Sequence, residues 1–192
     1  WRGSWEKEGG GVIVNQAPHQ FDLLCWYLGE VAEVYGRWAN VNHPYIEVDD
    51  SAVATVRFTP GGLASIFVSN SQKPGIYAKV HIHGSSGASA GVQTDGGAMF
   101  IAGMSSVLEP PYNDIWTIPG EEQMRDRWHK EDTEFFSSID ATWYFFAQQE
   151  EDFANAILND TSPAVSGYDG LQVSRIIEGI YRSQSENMPI QY

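Results

Sequence analysis

Apolar and polar residues alternate with a period of two through much of the first half of the chain, a pattern typical of half-buried β-strands. Four segments show it: residues 31–39, 51–59, 63–70 and 77–83. In the second segment, every other residue from Ala52 to Phe58 is apolar. The turn signal Pro60-Gly61-Gly62 follows this segment and predicts an antiparallel hairpin with the next one. We therefore expect an open, largely antiparallel sheet with one face on a core and the other face free.

Helical spacing predicts further elements around this sheet. The first helix covers Asn15 to Leu28, with Pro18 in its first turn and Gly29 directly after its end. Helical patterns recur later in the chain, within residues 132–159 and 167–185.

The pattern is weaker between the predicted strands and the later helices. Residues 84–97, rich in Gly, Ser and Ala, predict a turn, a short strand and another turn. Residues 98–130 show no clear period, and residues 110–122 within them predict a long loop. The whole chain, residues 1–192, is therefore predicted to be a single α+β domain with its helices packed on one face of the sheet.

Three polar residues of the first predicted helix are spaced so that they share one helical face. Asn15 and His19 are four residues apart, and Asp22 follows His19 by three. The other faces are apolar and expected to be buried: Phe21, Leu23, Leu24, Cys25, Trp26 and Leu28. A polar stripe on a buried helix is a candidate site, because an imidazole can act as a general acid or base for a hydroxyl. The structural alternative is that Asn15 caps the helix and His19 is a hydrogen-bonded, partly buried histidine.

Composition and charge narrow the possible partners. The 192 residues are 42% hydrophobic with a formal charge of −14, which indicates a folded domain and disfavours nucleic acid or an anionic membrane as a partner. No apolar run approaches the ~20 residues that a membrane span needs, and no signal-peptide pattern is present. The single cysteine, Cys25, excludes an internal disulfide framework and is predicted to be a buried, inert thiol. We therefore expect a cytoplasmic protein.

Metal and dinucleotide sites are not predicted. His81 and His83 share a predicted strand face and could provide two ligands to a metal ion. No third ligand stands out by its spacing, so a solvated or hydrogen-bonded strand face is favoured. The sequence also lacks the Gly-x-Gly-x-x-Gly turn that binds a dinucleotide in the usual fold.

The stretch around the polar stripe resembles the signature of the glucose–fructose oxidoreductase/inositol dehydrogenase (Gfo/Idh/MocA) family. That signature has a glycine-rich entry, Asp or Asn, three residues, His, two residues, Asp, and an apolar helix that ends in Gly. Here it runs from Gly9 through Asn15, His19 and Asp22 to Gly29. Three other segments are also similar to the family: residues 1–5, 46–50 and 162–183.

The resemblance implies a C-terminal α+β domain of the dihydrodipicolinate-reductase-like type. In the family this domain accompanies an N-terminal Rossmann domain for NAD or NADP. The family oxidises a sugar or cyclitol hydroxyl, or reduces the matching ketone, by hydride exchange with the nicotinamide. This chain resembles only the C-terminal domain and, with Trp1 as its first residue, looks like a fragment. We therefore expect that the chain alone has no dehydrogenase activity and binds no cofactor.

The same resemblance implies roles for individual residues. His19 falls where the family has the proton acceptor from the substrate hydroxyl. Asn15 falls where many members have Asp, and since an amide cannot take a proton, Asn15 would only orient the substrate or His19. Asp22 would hold an imidazole nitrogen or fix the helix. The residues that would line the cavity near cofactor or substrate are Trp1, Arg2 and Trp5.

The implied partners are a small sugar or cyclitol and further copies of the same chain. Family members commonly associate through the free face of this sheet, so a homo-oligomer is expected. Two alternatives remain open at this point. One is a non-catalytic binding or assembly module with the same fold, and the other is an NAD-dependent glycoside hydrolase of the same family.

Overall fold

The computed structural model describes residues 2–72, 78–93 and 110–192, apart from the side chain of Thr142. The chain forms two compact units. The first comprises the chain up to residue 76 together with Gly167–Tyr192, and the second comprises residues 77–166. Each unit contains an antiparallel sheet accompanied by helices, so the predicted α+β class is confirmed.

The described part of the first unit contains a four-stranded sheet and four helices. The strands are β1 (Val31–Ala39), β2 (Ser51–Phe58), β3 (Leu63–Ser69) and β7 (Ile190–Gln191). They are hydrogen-bonded in the order β3-β2-β1-β7, and every neighbouring pair is antiparallel. The helices are α1 (Trp5–Glu8), α2 (Val12–Asn15), α3 (Pro18–Leu28) and α6 (Gly167–Glu186).

The alternation that predicts β2 becomes one buried face and one exposed face. The buried residues are Ala52, Ala54, Val56 and Phe58. Between them, Val53 points to the opposite face and is 51% exposed. The N–H of Phe58 donates to the carbonyl of Gly62 (2.9 Å) and closes the hairpin with β3. The predicted hairpin and its buried face are therefore confirmed.

Helices α3 and α6 contribute to the core on the buried face of this sheet. Phe21 of α3 and Ile176 and Ile180 of α6 are fully buried and pack in one cluster with Val34 and Phe58 of the strands. Burial of one such side chain is worth about 1.5–3 kcal/mol. This cluster is therefore the main source of stability in the first unit.

Two glycines allow α6 to lie close to β1. A Cβ built on Gly179 of α6 would lie 2.6 Å from the Cβ of Val34. A Cβ built on Gly36 of β1 would lie 3.1 Å from side-chain carbons of Ile180. Because glycine has no side chain, the helix can rest directly on the strand.

Side chains of α6 also complete the hydrogen bonding of β1. The short strand β7 pairs only with Glu33 and Val34 of β1. Three other backbone N–H groups of β1 donate to α6: Val31 to Gln172 Oε1 (3.1 Å), Gly36 to Ser183 Oγ (3.1 Å) and Trp38 to Gln184 Oε1 (2.7 Å). These side chains take the place of a neighbouring strand, as buried backbone donors require.

The described part of the second unit contains a three-stranded sheet and two helices. The strands are β4 (Lys79–His83), β5 (Ser89–Gln93) and β6 (Tyr112–Trp116), in the order β4-β5-β6. The helices are α4 (Met124–Ser138) and α5 (Ala141–Asn159). Helix α4 packs on β6 through Trp128, whose ring centre is 4.6 Å from that of Trp116. Among the helices of the described ranges, none has the length and hydrophobicity needed to span a bilayer.

The second unit corrects two predictions from the sequence. Residues 110–122 contain strand β6 rather than only a long loop, because pairing with β5 stabilises a segment whose own alternation is weak. Helix α4 begins at Met124, not near residue 132. Tyr77 and residues 94–109, to which the predictions also extended, lie outside the described residues.

We expect Gly179→Ala to destabilise the protein, because the added methyl group would overlap the side chain of Val34. Overpacking of this kind costs about 1–3 kcal/mol, which urea unfolding followed by circular dichroism would measure. Gly170→Ala is the matched control in the same helix, since a Cβ there meets no atom within 4 Å. The control should gain up to ~1 kcal/mol from the better helix propensity of alanine. Equal stability of the two variants would contradict the close helix–strand approach.

Candidate active site

The predicted polar stripe does not lie on one continuous helix. Asn15 is the last residue of α2, and His19 is the second residue of α3. The break has a local cause, because Pro18 has no N–H to donate to the carbonyl of Val14. Pro18 instead occupies the first turn of α3, as predicted, and Ala17 rather than Asn15 is the residue before that helix. The prediction of a single helix from Asn15 is therefore wrong.

The helix that carries His19 is less buried than predicted. Asn15, His19 and Asp22 are all exposed. Of the apolar residues expected to be buried, only Phe21 is fully so, while Trp26 is 77% exposed. The amphipathic spacing correctly located the apolar side of α3 but overestimated how much of the surface is covered.

Cys25 is half-buried in this helix. Burial, followed by the nearby negative charge of Asp22, raises the pKa of its thiol to about 11. The thiolate is the reactive form of cysteine. The protonated thiol is therefore a poor nucleophile, in agreement with the prediction of an inert cysteine.

A fully buried carboxylate, Asp49, fixes the glycine-rich entry to α2. Its two oxygens accept hydrogen bonds from the N–H groups of Gly11 (2.8 Å) and Ile13 (2.9 Å). Its backbone carbonyl accepts a third bond, from the N–H of Val12 (3.1 Å). A Cβ built on Gly11 would lie 1.8 Å from that carbonyl oxygen, so only glycine fits. Asp49 therefore caps α2 from a distant part of the chain.

Tyr181 of α6 completes the environment of Asp49. Its hydroxyl donates to Asp49 Oδ1 (2.6 Å). Burial and this bond raise the pKa of Tyr181 far above its usual range, so the hydroxyl stays protonated and remains a donor. A Cβ built on Gly10 would lie 2.2 Å from the Tyr181 oxygen. Two of the three motif glycines are thus required by close approach of other parts of the unit: Gly11 by the backbone of Asp49 and Gly10 by the side chain of Tyr181.

Glu8, at the end of α1, holds the side chain of Asn15. Glu8 Oε1 accepts a hydrogen bond from Asn15 Nδ2 (3.0 Å), and Oε2 accepts one from the N–H of Gly3 (2.5 Å). The Gly3 bond is the largest of the effects that lower the pKa of Glu8; the Asn15 bond and the charge of Arg2 act in the same direction, while burial opposes them. Glu8 is therefore a carboxylate at neutral pH.

Trp5, one of the two tryptophans predicted to line the site, packs in a cluster of aromatic rings with Trp38 and Tyr181. The centre of its ring is 5.2 Å from that of Trp38 and 5.3 Å from that of Tyr181. These rings line a shallow depression of about 390 Å³ together with Arg182, Gln184 and Ser185. Asn15, His19 and Asp22 are not among the described residues that line it. Trp1, a further predicted site residue, lies outside the described residues.

A second buried carboxylate, Asp50, organises the loop that follows β1. It accepts hydrogen bonds from the N–H groups of Val41 (2.9 Å) and Asn42 (2.8 Å) and lies 2.8 Å from His43 Nδ1. Burial alone would raise the pKa of Asp50, but hydrogen bonds from Ser71, the two N–H groups and His43 outweigh it and hold that pKa well below its usual range. The loop is therefore tied to an ionised carboxylate.

The two histidines considered as metal ligands are hydrogen-bonded on the strand face. His81 Nε2 lies 2.9 Å from Asp114 Oδ2, and Lys79 Nζ contacts the same oxygen at 3.2 Å. His83 Nδ1 lies 2.7 Å from Ser89 Oγ. Among the described residues, no group of three or more His, Cys, Asp or Glu side chains is arranged to hold a metal ion. Both histidines are thus hydrogen-bonded to neighbouring side chains on this face.

Ser89 carries a spacing that sequence reasoning missed, Gly87-Ala88-Ser89-Ala90-Gly91, which matches the Gly-x-Ser-x-Gly pattern of serine hydrolases. The structure explains why this match is not a nucleophile elbow. Ser89 begins β5 and pairs with β4 in an antiparallel sheet, whereas an elbow needs a sharp turn from a strand into a helix.

Asp49 and Glu8 are the other residues that sequence reasoning missed. Two signals for Asp49 were available: it lies in the segment 46–50 that is similar to the family, and it belongs to an acidic pair, Asp49-Asp50, directly before an apolar strand. An acid at such a position needs several donors if it is to be buried.

Comparison with known proteins places this geometry in context. Residues 1–90 match the model of the GFO/IDH/MocA C-terminal domain. The uncharacterized oxidoreductase YrbE of Bacillus subtilis is 26% identical over 196 residues, which cover 96% of this chain and 49% of that protein. The chain thus spans about half the length of this curated relative.

Solved structures show the same fold over the entire chain. The WlbA dehydrogenase of Bordetella pertussis, in complex with NADH and UDP-GlcNAcA, is 27% identical with a TM-score of 0.72, and the match covers 100% of this chain and 50% of that one. GenD2 from gentamicin A biosynthesis, in complex with NAD, is 20% identical with a TM-score of 0.67, covering 100% of this chain and 51% of that one.

In fold and in the sequence of residues 1–90, the chain resembles the C-terminal α+β domain of Gfo/Idh/MocA proteins, and the WlbA dehydrogenase shares this fold. Residues 1–90 are thus similar to the Gfo/Idh/MocA family, in agreement with the resemblance seen in the stretch from Gly9 to Gly29.

We expect Tyr181→Phe to destabilise the protein by about 1.5–3 kcal/mol, the usual value of a hydrogen bond to a charged group. Tyr45→Phe is the matched control, because Tyr45 is 79% exposed and surface changes usually stay within about 0.5 kcal/mol. Both variants would be compared with the wild type by urea unfolding. A Tyr181→Phe variant as stable as the control would contradict the proposed importance of the bond to Asp49.

Proposed function

We propose that this chain is the substrate-binding and catalytic-helix domain of an NAD(P)-dependent dehydrogenase that acts on a hydroxyl group of a sugar or cyclitol. The observation that carries the proposal is the exposed imidazole of His19 at the start of α3, inside the family motif. The similarity to WlbA, a dehydrogenase with a bound sugar nucleotide, supports a sugar derivative as substrate.

In this proposal His19 accepts the proton of the substrate hydroxyl. A neutral imidazole has one unprotonated nitrogen, and an imidazole can exchange protons near neutral pH. The exposure of His19 leaves room for a substrate beside the ring. General-base catalysis needs a distance of about 2.6–3.2 Å between the hydroxyl oxygen and this nitrogen.

Asn15 orients the substrate in this proposal and takes no proton, because an amide has no basic nitrogen. Asp22 follows His19 by three residues in α3 and fixes the orientation of the imidazole or the helix. Arg2 lies near the carboxylate of Glu8, and Trp5 lines the aromatic depression. We propose that Trp1, Arg2 and Trp5 lie beside the substrate or the cofactor.

The described residues of this chain do not fit a nicotinamide dinucleotide. All pairings between their strands are antiparallel, whereas the usual dinucleotide site lies on a parallel βαβ unit. We propose that NAD or NADP is held by a separate Rossmann domain of the parent protein. The chain alone is then expected to show no dehydrogenase activity.

We expect His19→Ala to lower turnover by roughly 10²–10⁴-fold, the usual scale for a lost acid–base group. The assay would follow NAD(P)H absorbance in a protein that also carries the dinucleotide-binding domain, with free sugars, cyclitols and UDP-linked sugars as test substrates. His83→Ala is the control, because His83 is hydrogen-bonded on a strand of the second unit. Near-normal turnover of His19→Ala would refute the assigned role.

The free face of the first unit's sheet is the proposed surface for self-association. Val53 of β2 and Phe67 of β3 pair across the strands and are 51% and 53% exposed. Tyr35 and Leu63 extend the same exposed face. Adjacent exposed apolar side chains often mark protein–protein contacts, so we propose that the protein forms a homo-oligomer through this face. We also propose that the protein is cytoplasmic.

We expect Val53→Lys to weaken this association, because it would place a charge in the centre of the proposed contact. Val41→Lys makes the same chemical change at a loop position that is 69% exposed and should have little effect. Sedimentation velocity over a range of concentrations would measure both variants. A wild-type chain that stays monomeric at the highest concentration, or equal behaviour of the two variants, would contradict the proposed interface.

A further inference from the structure

We propose that Glu8 is a positioning residue that makes the amide of Asn15 present its carbonyl oxygen to a hydroxyl of the substrate. This inference rests on the proposed function, because it assigns a partner to a residue of that site. It adds a specific requirement, that residue 15 must present a hydrogen-bond acceptor to the substrate. Glu8 meets this requirement by fixing the orientation of the Asn15 amide.

The chemistry of the pair fixes the orientation of the Asn15 amide. An ionised carboxylate can accept hydrogen bonds but has none to donate. The contact between Glu8 Oε1 and Asn15 Nδ2 (3.0 Å) is therefore possible only when the NH₂ group of Asn15 faces Glu8. The carbonyl oxygen of Asn15 then points away from Glu8.

The carbonyl oxygen of Asn15 keeps capacity for a substrate. It accepts one hydrogen bond from Gln16 Nε2 (3.2 Å), and both side chains are exposed. An amide oxygen has two lone pairs, so one remains for a hydroxyl donor. The hydroxyl that donates to Asn15 is a different one from the hydroxyl whose proton His19 accepts, because a hydroxyl has a single proton to donate.

Glu8 is itself held in place by a second contact. Its other oxygen, Oε2, accepts the N–H of Gly3 (2.5 Å). Gly3 has φ +86 and is buried, and a Cβ there would lie 2.4 Å from a side-chain carbon of Ile46. One carboxylate oxygen is therefore used by the backbone and the other by Asn15.

This arrangement predicts the effect of Glu8→Gln. If the new amide oxygen keeps the Gly3 bond, the new NH₂ group faces Asn15. Asn15 must then turn over so that its oxygen accepts from that NH₂ group, and it presents its own NH₂ to the substrate. In this variant, Asn15 offers the substrate a hydrogen-bond donor in place of an acceptor, and the size of neither side chain changes appreciably.

The arrangement also predicts that two harmful changes compensate each other. Asn15→Asp alone places two carboxylates about 3 Å apart, since Glu8 and Asn15 lie 3.0 Å apart in the wild type, and like charges at this distance repel. In the double variant Glu8→Gln/Asn15→Asp, the new glutamine oxygen accepts from Gly3 and its NH₂ donates to the new aspartate. Position 15 again offers an acceptor.

The first experiment tests the hydrogen bond on the chain alone, without any assay of activity. NMR would follow the side-chain NH₂ resonances of Asn15 in a pH titration. We expect them to shift as Glu8 is protonated, with a midpoint below the usual range for glutamate, and we expect this shift to vanish in Glu8→Gln. Asn15 resonances that do not respond to pH would overturn the proposal.

The second experiment measures kcat and KM in a protein that also carries the dinucleotide-binding domain, on whichever test substrate the wild type uses best. We expect kcat/KM to fall roughly 10- to 100-fold in Glu8→Gln and in Asn15→Asp, the scale of an unmatched polar contact to substrate. The double variant should recover most of this loss. Urea unfolding of all three variants would show whether stability changes in parallel.

The outcomes separate this inference from the proposed function. Recovery of kcat/KM in the double variant supports the positioning role if the free energies of unfolding of the variants do not change in parallel, because relief of the charge repulsion alone would restore stability and activity together. If His19→Ala is impaired but Glu8→Gln stays within twofold of the wild type, the positioning role is overturned and the proposed function stands. If His19→Ala is unimpaired, the proposed function fails, and the NMR titration still decides whether the hydrogen bond exists.

Discussion

The first unit depends on one buried carboxylate that joins three parts of the chain. Asp49 lies two residues before β2. Its side chain and backbone bind the start of α2, and its side chain also binds the hydroxyl of Tyr181 in α6. A buried charge is costly unless it is fully hydrogen-bonded. Here two backbone donors and one hydroxyl satisfy it. The position of α2, and with it that of Asn15 and the entry to α3, is set by this contact rather than by the helix itself.

The glycine-rich motif has a structural explanation that differs from the usual one. Glycines before a helix are commonly associated with phosphate binding, because they let an anion approach the backbone. In this chain the anion is internal: the Asp49 carboxylate binds the N–H groups of Gly11 and Ile13. Gly10 is needed for a different reason, because the hydroxyl oxygen of Tyr181 lies where a Cβ on residue 10 would be. The glycine-rich segment has the composition of an anion-binding loop, but its backbone N–H groups are already bound by a carboxylate of the protein itself.

Local patterns in the sequence were enough for strands β1 to β4 and the last helix, but not for β6 or for the site. The alternation from Ala52 to Phe58 is a property of neighbouring residues, and it correctly gave the buried face of β2. The bonds from Gly11 and Tyr181 to Asp49 span 38 and 132 residues, and nothing near Asp49 in the sequence signals them. The break at Pro18 follows from the start of α2 at Val12, because proline lacks the N–H that a helix continuing through this point would donate to the carbonyl of Val14.

The way α6 closes the side of β1 has a consequence for how the sheet can meet other chains. A strand with unpaired N–H and C=O groups invites edge-to-edge pairing and aggregation. At β1 that edge is blunted, because β7 pairs with Glu33 and Val34 and side chains of α6 accept hydrogen bonds from three further N–H groups of the strand. Strand β3 forms the opposite end of the described sheet. Addition of a further strand at the β1 side of this sheet is therefore disfavoured.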